Sequence, residues 1–300
     1  MEKQAQRIGE GFRGELLRNE PMGRHTSLKV GGPADLYAVP QDLDDLQQLL
    51  RQLEGTEIPW LAIGRGYNLL VRDGGIRGAV ISLERFNRIN LLEGERLLVD
   101  AGVENLALVR FGQERQLGGI GFLAGIPGTV GGAIRMNAGA YGEGILERTV
   151  SLTLLRNGMV TVFRMDELSH GYRRLDLLPG DLVLSATLQL TPRDPAATEE
   201  EIRRDIELRR SKHNVGFPSA GSFFKNPPGQ AAWRLIDAAG MRGAQVGGAQ
   251  VSPVHSNFLV NTGRGTAADF LKLAAQVKAA VLEASGITLE EEVRIVGEEA

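Results

Sequence analysis

The sequence predicts an α+β protein in which a larger, strand-rich part is followed by a smaller α+β domain. Three observations support this prediction. The chain has 300 residues, which suggests two domains or three small ones. Short strand-like and helix-like segments alternate up to about residue 190, and the middle third is rich in strands. A cluster of structure breakers, Thr191-Pro192-Arg193-Asp194-Pro195, then separates the last part of the chain from the rest.

The composition is that of a folded, soluble protein, with 42% hydrophobic and 24% charged residues. Lys and Arg number 34 against 37 Asp and Glu, so the net charge is −3 and nucleic acid is not an expected partner. The sequence has no cysteine, which excludes disulfides, thiolate metal sites, iron–sulfur clusters and cysteine nucleophiles. It contains neither an apolar leader nor a run of about 18 apolar residues, so we expect a cytoplasmic protein without a membrane segment.

Hydrophobic spacing predicts the elements of the first 120 residues. Ala5, Ile8, Phe12 and Leu16 recur at helical spacing, which predicts an opening helix over residues 5–17. Strands are predicted over 36–39 and 60–63, with a helix over 43–53 between them and a glycine turn after the second strand. Further strands at 79–83 and 97–103 precede a helix over 105–117 that ends at Gly118-Gly119.

The middle of the chain is dominated by glycine and by strands. The stretch Gly121–Gly142 has seven glycines in 22 residues, which predicts an irregular conformation. Predicted strands over 150–155 and 160–163 flank Asn157-Gly158, a two-residue hairpin signal. Alternating apolar residues predict a half-buried strand over 182–190.

The elements after the breaker cluster form the smaller domain. Thr198 and Glu201 match a capping box and predict a charged helix that runs to about His213. A turn containing Ser222 follows, and then come a helix over 231–239, a strand over 257–260, a helix over 266–285 and a final strand over 287–296. Alternation places Glu292 on the polar face of that last strand, which is ordinarily a solvated face.

Three glycine motifs are candidates for phosphate binding. Gly64-Arg65-Gly66-Tyr67-Asn68-Leu69-Leu70 follows a predicted strand, where backbone N–H groups can surround a phosphate, although a plain tight turn gives the same pattern. It has neither the Lys-Ser/Thr of a P-loop nor the third glycine of a dinucleotide fingerprint. Gly119–Ala124 has the dinucleotide pattern but follows a helix, and Gly263–Ala268 is better explained by a turn and a helix cap at Thr266.

The stretch Gly121–Gly142 is the strongest feature of the sequence. Its glycines are interleaved with apolar residues, so we expect a buried segment that a flat ring or a pyrophosphate can approach closely; these residues are Phe122, Leu123, Ile126, Pro127, Val130 and Ile134. A metal site is not expected, because His25, His170, His213 and His255 are far apart and lack ligand spacing. No nucleophile elbow of the G-x-S-x-G type is present. Ser219–Pro227 concentrates polar and aromatic side chains, although an ordinary loop with an aromatic anchor has the same composition.

Seven segments, taken in order, resemble the UDP-N-acetylenolpyruvoylglucosamine reductase (MurB) family, the flavoenzymes of peptidoglycan synthesis. The segments are HTSLKVGGPADLY from His25, GRGYNLLV from Gly64, GIPGTVGGAIRMNAGAYG from Gly125, GYRR from Gly171, PSAGSFFKNP from Pro218, SPVHSNFLVN from Ser252 and LEEEVRIVG from Leu289. The resemblance extends from about His25 to Gly297 and favours the second of the family's two types. Each segment alone is weak evidence, whereas their order and spacing are specific.

The resemblance implies a fold. It is an FAD-binding domain of the vanillyl-alcohol-oxidase (PCMH) type, made of two α+β subdomains and followed by a smaller α+β substrate-binding domain. The corresponding boundaries in this chain are residues 1–85, with the N-terminal helix, then 86–197 and 198–300.

The resemblance also implies non-covalent FAD as cofactor and NADPH as hydride donor. The FAD-binding positions are Gly64, Arg65, Gly66, Tyr67, Asn68, Leu69, Gly125, Ile126, Pro127, Gly128, Gly131, Gly132, Asn137, Ala138 and Gly139. The first six would surround the pyrophosphate and the others would line the isoalloxazine. Tyr67 stands where the family usually has Ser or Thr.

The implied reaction is the reduction of UDP-N-acetylglucosamine enolpyruvate to UDP-N-acetylmuramate. The implied catalytic residues are Arg173, Ser222 and Glu292, and the implied substrate-binding residues are Tyr172, Lys225 and Asn226. Arg173, with assistance from Glu292, would stabilise the negative charge that develops on the enolpyruvyl group. Ser222 would protonate its C2 carbon, and Lys225 is a candidate source of positive charge beside Ser222.

Two alternatives are compatible with part of these motifs. Another FAD-dependent oxidoreductase of the same fold, acting on an alcohol or a sugar, would share the glycine segments but would not need Ser222 or Glu292. A non-enzymatic nucleotide-binding module would need only the Gly64–Leu70 motif.

Overall fold

The structure is a computed structural model that describes residues 8–140, 142–213 and 215–300, with the side chains of residues 209–213 not described. The chain divides into two compact units, each made of segments that are separate in sequence. The first unit comprises the residues up to Leu17, Tyr37–Gly64 and Ala79–Leu208. The second comprises Arg18–Leu36, Arg65–Gly78 and Arg209–Ala300.

The described residues contain six α-helices. They are α1 (Leu43–Glu54), α2 (Asn105–Glu114), α3 (Val130–Arg135), α4 (Pro195–His213), α5 (Ala232–Ala238) and α6 (Ala267–Ser285). None of them is both long enough and apolar enough to cross a membrane.

Short strands make up most of the remaining regular structure. Those of the first half of the chain are β1 (Glu15–Pro21), β2 (Pro33–Val39), β3 (Trp60–Ile63), β4 (Leu69–Val71), β5 (Ile76–Ser82), β6 (Ile89–Leu92), β7 (Arg96–Asp100), β8 (Leu117–Gly118), β9 (Gly139–Ala140), β10 (Glu143–Gly144) and β11 (Thr149–Arg156). Those of the second half are β12 (Met159–Arg164), β13 (His170–Gly171), β14 (Arg174–Leu175), β15 (Leu182–Gln189), β16 (Thr191–Pro192), β17 (Ser219–Ser222), β18 (Gln245–Val246), β19 (Ala249–Val251), β20 (Phe258–Asn261) and β21 (Arg294–Val296).

The largest sheet has five antiparallel strands in the order β12-β11-β15-β7-β6. Strands β11 and β12 form the predicted hairpin, and its two turn residues, Asn157 and Gly158, have φ angles of +49° and +74°. Both angles are in the left-handed region that a two-residue hairpin turn requires. Helix α3 lies against β7 and β15, so this sheet supports the glycine-rich stretch.

Three of the other sheets contribute to the framework. A four-stranded sheet has the order β1-β2-β5-β3, in which β3 and β5 are parallel. Strands β17, β20, β19 and β18 form an antiparallel sheet in that order, and β21 pairs in parallel with β4. The β21–β4 pair places Arg294 beside Leu69, which are far apart in the sequence.

The core of the second unit is built around three phenylalanines. Phe223, Phe224 and Phe270 are each at most 1% exposed and belong to one buried hydrophobic cluster with residues of α5, α6 and β20. The rings of Phe223 and Phe224 meet edge to face with centroids 5.2 Å apart. Because these two rings follow Ser222 directly, burial fixes the position of the Ser222 backbone.

The predicted opening helix is wrong. Residues 8–11 form a turn and β1 begins at Glu15, while residues 5–7 lie outside the described residues. The backbone N–H groups of Arg13 and Gly14 donate to the Asp45 carboxylate, both at 2.9 Å, so they are not part of a helix. A Cβ at Gly14 would lie only 2.0 Å from the Val39 carbonyl oxygen, which shows that chain packing, not periodicity, determines this segment.

The prediction that Gly121–Gly142 is irregular throughout is also wrong, because it contains a 3-10 turn at Gly121–Gly125 and helix α3. Burial of Val130, Ala133 and Ile134 stabilises α3 in spite of its glycines. Phe122 and Leu123 are buried as predicted, whereas Ile126 and Pro127 are only half-buried.

The ends of three other elements differ from the prediction. Helix α2 ends at Glu114 because Leu117–Gly118 pairs with β16. Helix α4 begins at Pro195, where the missing N–H of proline is harmless, and the Thr198 hydroxyl donates to the Asp194 carbonyl instead of capping the helix. The final strand, predicted over 287–296, comprises only Arg294–Val296, and an isolated bridge between Phe224 and Glu291 precedes it.

Candidate functional site

Arg173 lies at the tip of a hairpin in the first unit. Strands β13 and β14 leave Tyr172 and Arg173 as the two turn residues, and Arg173 has a φ of +53°. Its guanidinium donates from Nη1 to the Asn137 carbonyl at 3.3 Å and from Nη2 to the Gly139 carbonyl at 2.9 Å. Tyr172 is 61% exposed, with the guanidinium carbon of Arg173 5.4 Å from its ring centroid.

Asn137 contacts the same hairpin in the opposite direction. Its Nδ2 donates to the Gly171 carbonyl at 2.9 Å, and its Oδ1 accepts from the Leu146 N–H at 3.3 Å. Asn137 also has a positive φ, +41°. The predicted FAD segment and the predicted catalytic arginine are therefore hydrogen-bonded to each other within the first unit.

The first part of the glycine-rich segment is held by Asn105, the first residue of α2. The Asn105 backbone N–H donates to the Gly128 carbonyl and its Nδ2 donates to the Ile126 carbonyl, both at 3.0 Å. Asn105 is 1% exposed, so these bonds are shielded from water. The segment Ile126–Gly128 thus has a defined conformation although it has no regular hydrogen-bond ladder.

Two glycines of this segment fit the close approach of a flat cofactor. Among the described residues, the one heavy atom within 4 Å of a Cβ at Gly132 is Thr129 Oγ1, at 3.7 Å. For Gly128 it is Asn105 Nδ2, at 4.0 Å. The chain leaves open space beside both positions, so the residues fit the isoalloxazine that the family resemblance assigns to them. The φ of +130° at Gly128 by itself requires glycine, whereas nothing in the described residues requires it at Gly132.

Other glycines of the predicted FAD site are required by the fold. A Cβ at Gly64 would lie 2.5 Å from Thr129 Oγ1, and one at Gly131 would lie 2.8 Å from the Ala101 Cβ. In the second unit Gly66 has a φ of +62°, and a Cβ there would lie 2.0 Å from the His25 carbonyl oxygen. The Gly66 carbonyl accepts from the Ser27 N–H at 3.1 Å, which fixes the turn that presents Arg65 and Tyr67 at the surface.

Asn68 connects this turn to the segment that contains Glu292. Its Nδ2 donates to the Glu292 carbonyl at 3.1 Å, and its own carbonyl accepts from the Arg294 N–H at 3.1 Å. Together with the parallel pairing of β4 and β21, these bonds place residues 68–69 beside residues 292–294 in the second unit.

Ser222 lies at an irregularity in strand β17. The register with β20 shifts between Ser219 and Ser222, and Gly221 has a φ of +78°. Such bulges reorient a side chain and are common beside functional sites. The Phe223 carbonyl accepts from the Glu292 N–H at 2.8 Å, so the backbones that carry Ser222 and Glu292 are directly linked.

Asn257 holds the residues that follow Ser222. Its Oδ1 accepts from the Phe224 N–H at 3.0 Å and its Nδ2 donates to the Phe224 carbonyl at 2.8 Å. Its own carbonyl accepts from the Phe223 N–H at 2.7 Å, and its side chain is 3% exposed. Asn105 and Asn257 are the supporting residues that the sequence analysis missed. Asn257 lies in a segment of the family resemblance, but no local pattern identifies its partner.

The predicted substrate-binding residues of the second unit have partners of their own. Lys225 Nζ forms an ion pair with Glu290 Oε2 at 3.1 Å. In this structure its positive charge is therefore balanced by an exposed carboxylate and not by Ser222. Asn226 Oδ1 accepts from the Ala232 N–H at 3.0 Å, at the start of α5.

The histidine side chains that the structure describes give no sign of a shared site. His255 packs against the Phe258 ring at 4.7 Å, and burial lowers its pKa. His25 bonds Glu20 at 3.0 Å. The side chain of His213 lies outside the described residues, and in the part of the chain that is described no three His, Asp or Glu side chains are arranged to hold a metal ion.

Comparison with known proteins identifies two family domains in the chain. A profile described as "FAD binding domain" matches residues 34–162. A second, described as "UDP-N-acetylenolpyruvoylglucosamine reductase, C-terminal domain", matches residues 212–296.

Relatives of the same name match nearly the whole chain. The UDP-N-acetylenolpyruvoylglucosamine reductase of Pelobacter propionicus is 71% identical over 97% of this chain and 99% of its own length. That of Geobacter metallireducens is 56% identical over 98% of both chains. The crystal structure of the Thermus caldophilus reductase superposes with a TM-score of 0.81 at 33% identity, covering 94% of this chain and 98% of that one.

These matches confirm the predicted α+β fold class with an FAD-binding domain, and they confirm the family resemblance drawn from the seven segments. The chain belongs to the UDP-N-acetylenolpyruvoylglucosamine reductase family.

Proposed function

We propose that the protein catalyses the NADPH-dependent reduction of UDP-N-acetylglucosamine enolpyruvate to UDP-N-acetylmuramate in peptidoglycan synthesis, with non-covalent FAD as its cofactor. The observation that carries this proposal is the 71% identity to a reductase of that name over 97% of the chain. The FAD-binding domain match at residues 34–162 supports the cofactor.

FAD would supply the hydride chemistry, and the residues that would hold it are those of the Gly64–Leu69 turn and of Gly125–Gly139. The open side of Gly132 supports the second assignment. The fixed left-handed turn at Gly66 supports the first, since it keeps the backbone of residues 65–67 in one conformation.

Arg173 would act on the enolpyruvyl group of the substrate. Reduction of an enol ether at C3 leaves negative charge at C2, which spreads into the adjacent carboxylate as an enolate. A guanidinium has five N–H donors in one plane. In Arg173, Nη1 donates to the Asn137 carbonyl and Nη2 donates to the Gly139 carbonyl. These bonds hold the cation in place before charge develops, which is the condition for effective electrostatic stabilisation.

Ser222 would donate the proton that C2 requires. A serine hydroxyl is a weak acid, so it can serve only an acceptor as basic as an enolate carbon. Burial of Phe223 and Phe224 and the bulge at Gly221 support the assignment because they fix the backbone on both sides of Ser222. Glu292 would assist from the adjacent segment, whose N–H donates to the Phe223 carbonyl.

Tyr172, Lys225 and Asn226 would bind the UDP-sugar. The Lys225–Glu290 pair is exposed at both side chains, and exposed pairs contribute little to stability, so a substrate phosphate can replace the carboxylate at small cost. We place the reaction in the cytoplasm, without nucleic acid or a metal ion as a partner. The net charge of −3 supports the statement on nucleic acid, because the chain has no overall basic field.

The direct test is NADPH oxidation by the purified flavoprotein with and without the enolpyruvyl UDP-sugar. We expect NADPH oxidation that requires the sugar. One NADPH should be consumed for each molecule of sugar reduced. Oxidation coupled to alcohols or simple sugars, with no response to the UDP-sugar, would establish a different oxidoreductase of this fold.

The same assay tests Ser222. The Ser222→Ala variant should reduce its flavin with NADPH at a near-normal rate, because that step needs no proton from Ser222. Reoxidation by saturating UDP-sugar should slow by about 100-fold, the usual loss for a general acid, and Ser222→Cys should recover part of it. A near-normal reoxidation rate in the alanine variant, measured by stopped flow, would remove Ser222 from the mechanism.

A further inference from the structure

Two residues with strained backbones hold each other in the first unit. Asn137 and Arg173 are non-glycine residues with φ angles of +41° and +53°. A non-glycine residue keeps this conformation only where the surrounding structure holds it in place. Each of the two forms a hydrogen bond to the main chain of the other's segment, because Arg173 donates to the Asn137 carbonyl and Asn137 donates to the Gly171 carbonyl.

Both ends of the Asn137 side chain are engaged within the unit. Nδ2 donates to the Gly171 carbonyl at 2.9 Å, while Oδ1 accepts from the Leu146 N–H at 3.3 Å. One partner is an acceptor and the other a donor, so the orientation of the amide is determined without ambiguity. This geometry directs the side-chain amide at the arginine hairpin, so any contact of Asn137 with FAD would come from its backbone.

We propose that Asn137 is a positioning residue for Arg173. Its amide fixes the Gly171 end of the hairpin, and its carbonyl, with that of Gly139, fixes the guanidinium. The inference rests on the proposed function, because it takes Arg173 as the group that stabilises charge on the substrate.

The restraints on the hairpin lie mostly at its base, where the Asp176 N–H donates to the Ser169 carbonyl at 2.9 Å and Leu175 is buried, so one amide near the tip can matter. Strands β13 and β14 have two residue pairs, His170 with Leu175 and Gly171 with Arg174. The Leu175 end is held by Arg135 of α3, whose Nη1 donates to the Leu175 carbonyl at 2.6 Å. Asn137 supplies the matching restraint on the Gly171 end, so the turn residues between them have a defined position.

The test uses Asn137→Gly, since glycine adopts a positive φ without strain and removes only the side-chain bonds. Amide hydrogen exchange should become at least about fivefold faster in residues 171–174, with little change elsewhere, because a lost restraint raises local opening. Reoxidation of the flavin by saturating UDP-sugar should slow about 10- to 100-fold, the range for a misplaced catalytic group. Flavin reduction by NADPH should stay within about twofold, because that step does not involve Arg173.

Asn157→Gly is the matched control. Asn157 has a φ of +49° in the exposed β11–β12 turn, so the same substitution relieves the same kind of backbone strain outside the site. We expect unchanged exchange in residues 171–174 and unchanged rates for both half-reactions.

A double-mutant cycle separates positioning from general structure. If Asn137 acts through Arg173, then Asn137→Gly should have little further effect on reoxidation in an Arg173→Ala background. Additive losses, or unchanged exchange in residues 171–174 of Asn137→Gly, would overturn the inference and leave the proposed function standing. A wild-type protein that does not turn over the UDP-sugar would overturn both.

Discussion

Gly131 and Gly132 are neighbours in helix α3, yet the chain requires glycine at only one of them. A Cβ at Gly131 would lie 2.8 Å from the Ala101 Cβ and 3.1 Å from the Ala101 carbonyl oxygen. At Gly132 the nearest atom among the described residues is 3.7 Å away, an ordinary van der Waals contact. A helical glycine that the fold does not need costs about 1 kcal/mol relative to alanine, so its presence at Gly132 points to a ligand.

Gly132→Ala should therefore stabilise the FAD-free protein and weaken FAD binding. We expect a gain of about 0.5–1 kcal/mol in the unfolding free energy of the apoprotein, because alanine is the better helix former. FAD affinity should fall at least about tenfold as the methyl group meets the ring, a loss of about 1.4 kcal/mol. Urea unfolding and flavin fluorescence titration measure the two effects.

Gly131→Ala is the control for this pair. It should destabilise the apoprotein itself, since its methyl group meets the Ala101 side chain. If Gly132→Ala leaves FAD affinity unchanged, the assignment of this glycine to the cofactor is wrong.

At the residue scale, contiguous motifs led to the prediction of the glycine turn and of Ser222 and Arg173 as site residues, and the roles of these residues stay predictions. The supporting asparagines could not be identified in this way. The partner of Asn257 is the peptide of Phe224, 33 residues earlier, and that of Asn105 is Ile126, 21 residues later. A lone asparagine has no local signal for a partner that only the fold brings close.

The hairpin β11–β12 and strand β15 are joined at one end by an ion pair. Arg156 Nε and Nη2 donate to the two carboxylate oxygens of Asp181 at 2.7 and 2.6 Å, and the Asp181 side chain is 1% exposed. Burial on its own would raise the pKa of Asp181, but the Arg156 guanidinium and the Leu178 N–H lower it below its ordinary value. The folded state therefore favours the ionised carboxylate.

Asp181→Asn should destabilise the protein by about 2 kcal/mol at pH 7, less than the 3–5 kcal/mol of a fully buried broken pair because Arg156 is 24% exposed. Since the folded pKa of Asp181 lies below the unfolded value near 3.9, the pair stabilises fully above that value and is lost as the pH falls through the folded pKa. The difference between wild type and variant should shrink below about pH 4. Urea unfolding at pH 7, 5 and 3.5 measures it.

The exposed Arg164–Asp166 pair provides the control. Its side chains are 75% and 66% exposed, so Asp166→Asn should change the unfolding free energy by no more than about 0.5 kcal/mol at any of these pH values. Equal effects of the two substitutions would show that burial does not set the strength of the Asp181 pair.

Elements with a complete local signal were predicted well, and those set by distant contacts were not. Helix α6 begins after Thr266, whose hydroxyl accepts from the Asp269 N–H, and ends at Gly286 with a φ of +71°. Both signals are visible in the sequence. The opening segment has helical spacing, but Gly9, Gly11 and Gly14 and its pairing as β1 with β2 override it. Residues 287–293 alternate like a strand, yet regular pairing is limited to Arg294–Val296.

At the scale of the whole molecule, the two compact units are discontinuous in sequence. Residues 18–36 and 65–78 belong to the second unit, although the chain around them belongs to the first. Breaker clusters and composition report only on neighbours along the chain, so they can suggest a division near residue 195. They cannot show that segments from the first 80 residues belong to the second unit. The division into residues 1–85, 86–197 and 198–300 stays a prediction.

FAD should be removable from the whole protein without breaking a covalent bond. Covalent attachment in this fold class generally uses a cysteine or histidine, and the chain has no cysteine and no histidine in its glycine-rich segments. Acid precipitation should leave all the yellow colour in the supernatant. Colour retained in the pellet would contradict the prediction.

Binding of FAD to the apoprotein should then raise its thermal stability, and the size of the increase should depend on the FAD pyrophosphate. A ligand at 100 times its Kd stabilises the folded state by about 2.7 kcal/mol, so FAD at that excess should raise the Tm of the apoprotein by about 5 °C. If the Gly64–Leu69 turn holds the pyrophosphate, FMN, which has one phosphate and no adenosine, should raise the Tm by less than half as much at the same concentration. Equal shifts with FAD and FMN in a thermal scan would mean that the isoalloxazine alone accounts for binding, and the role proposed for the turn would then be wrong.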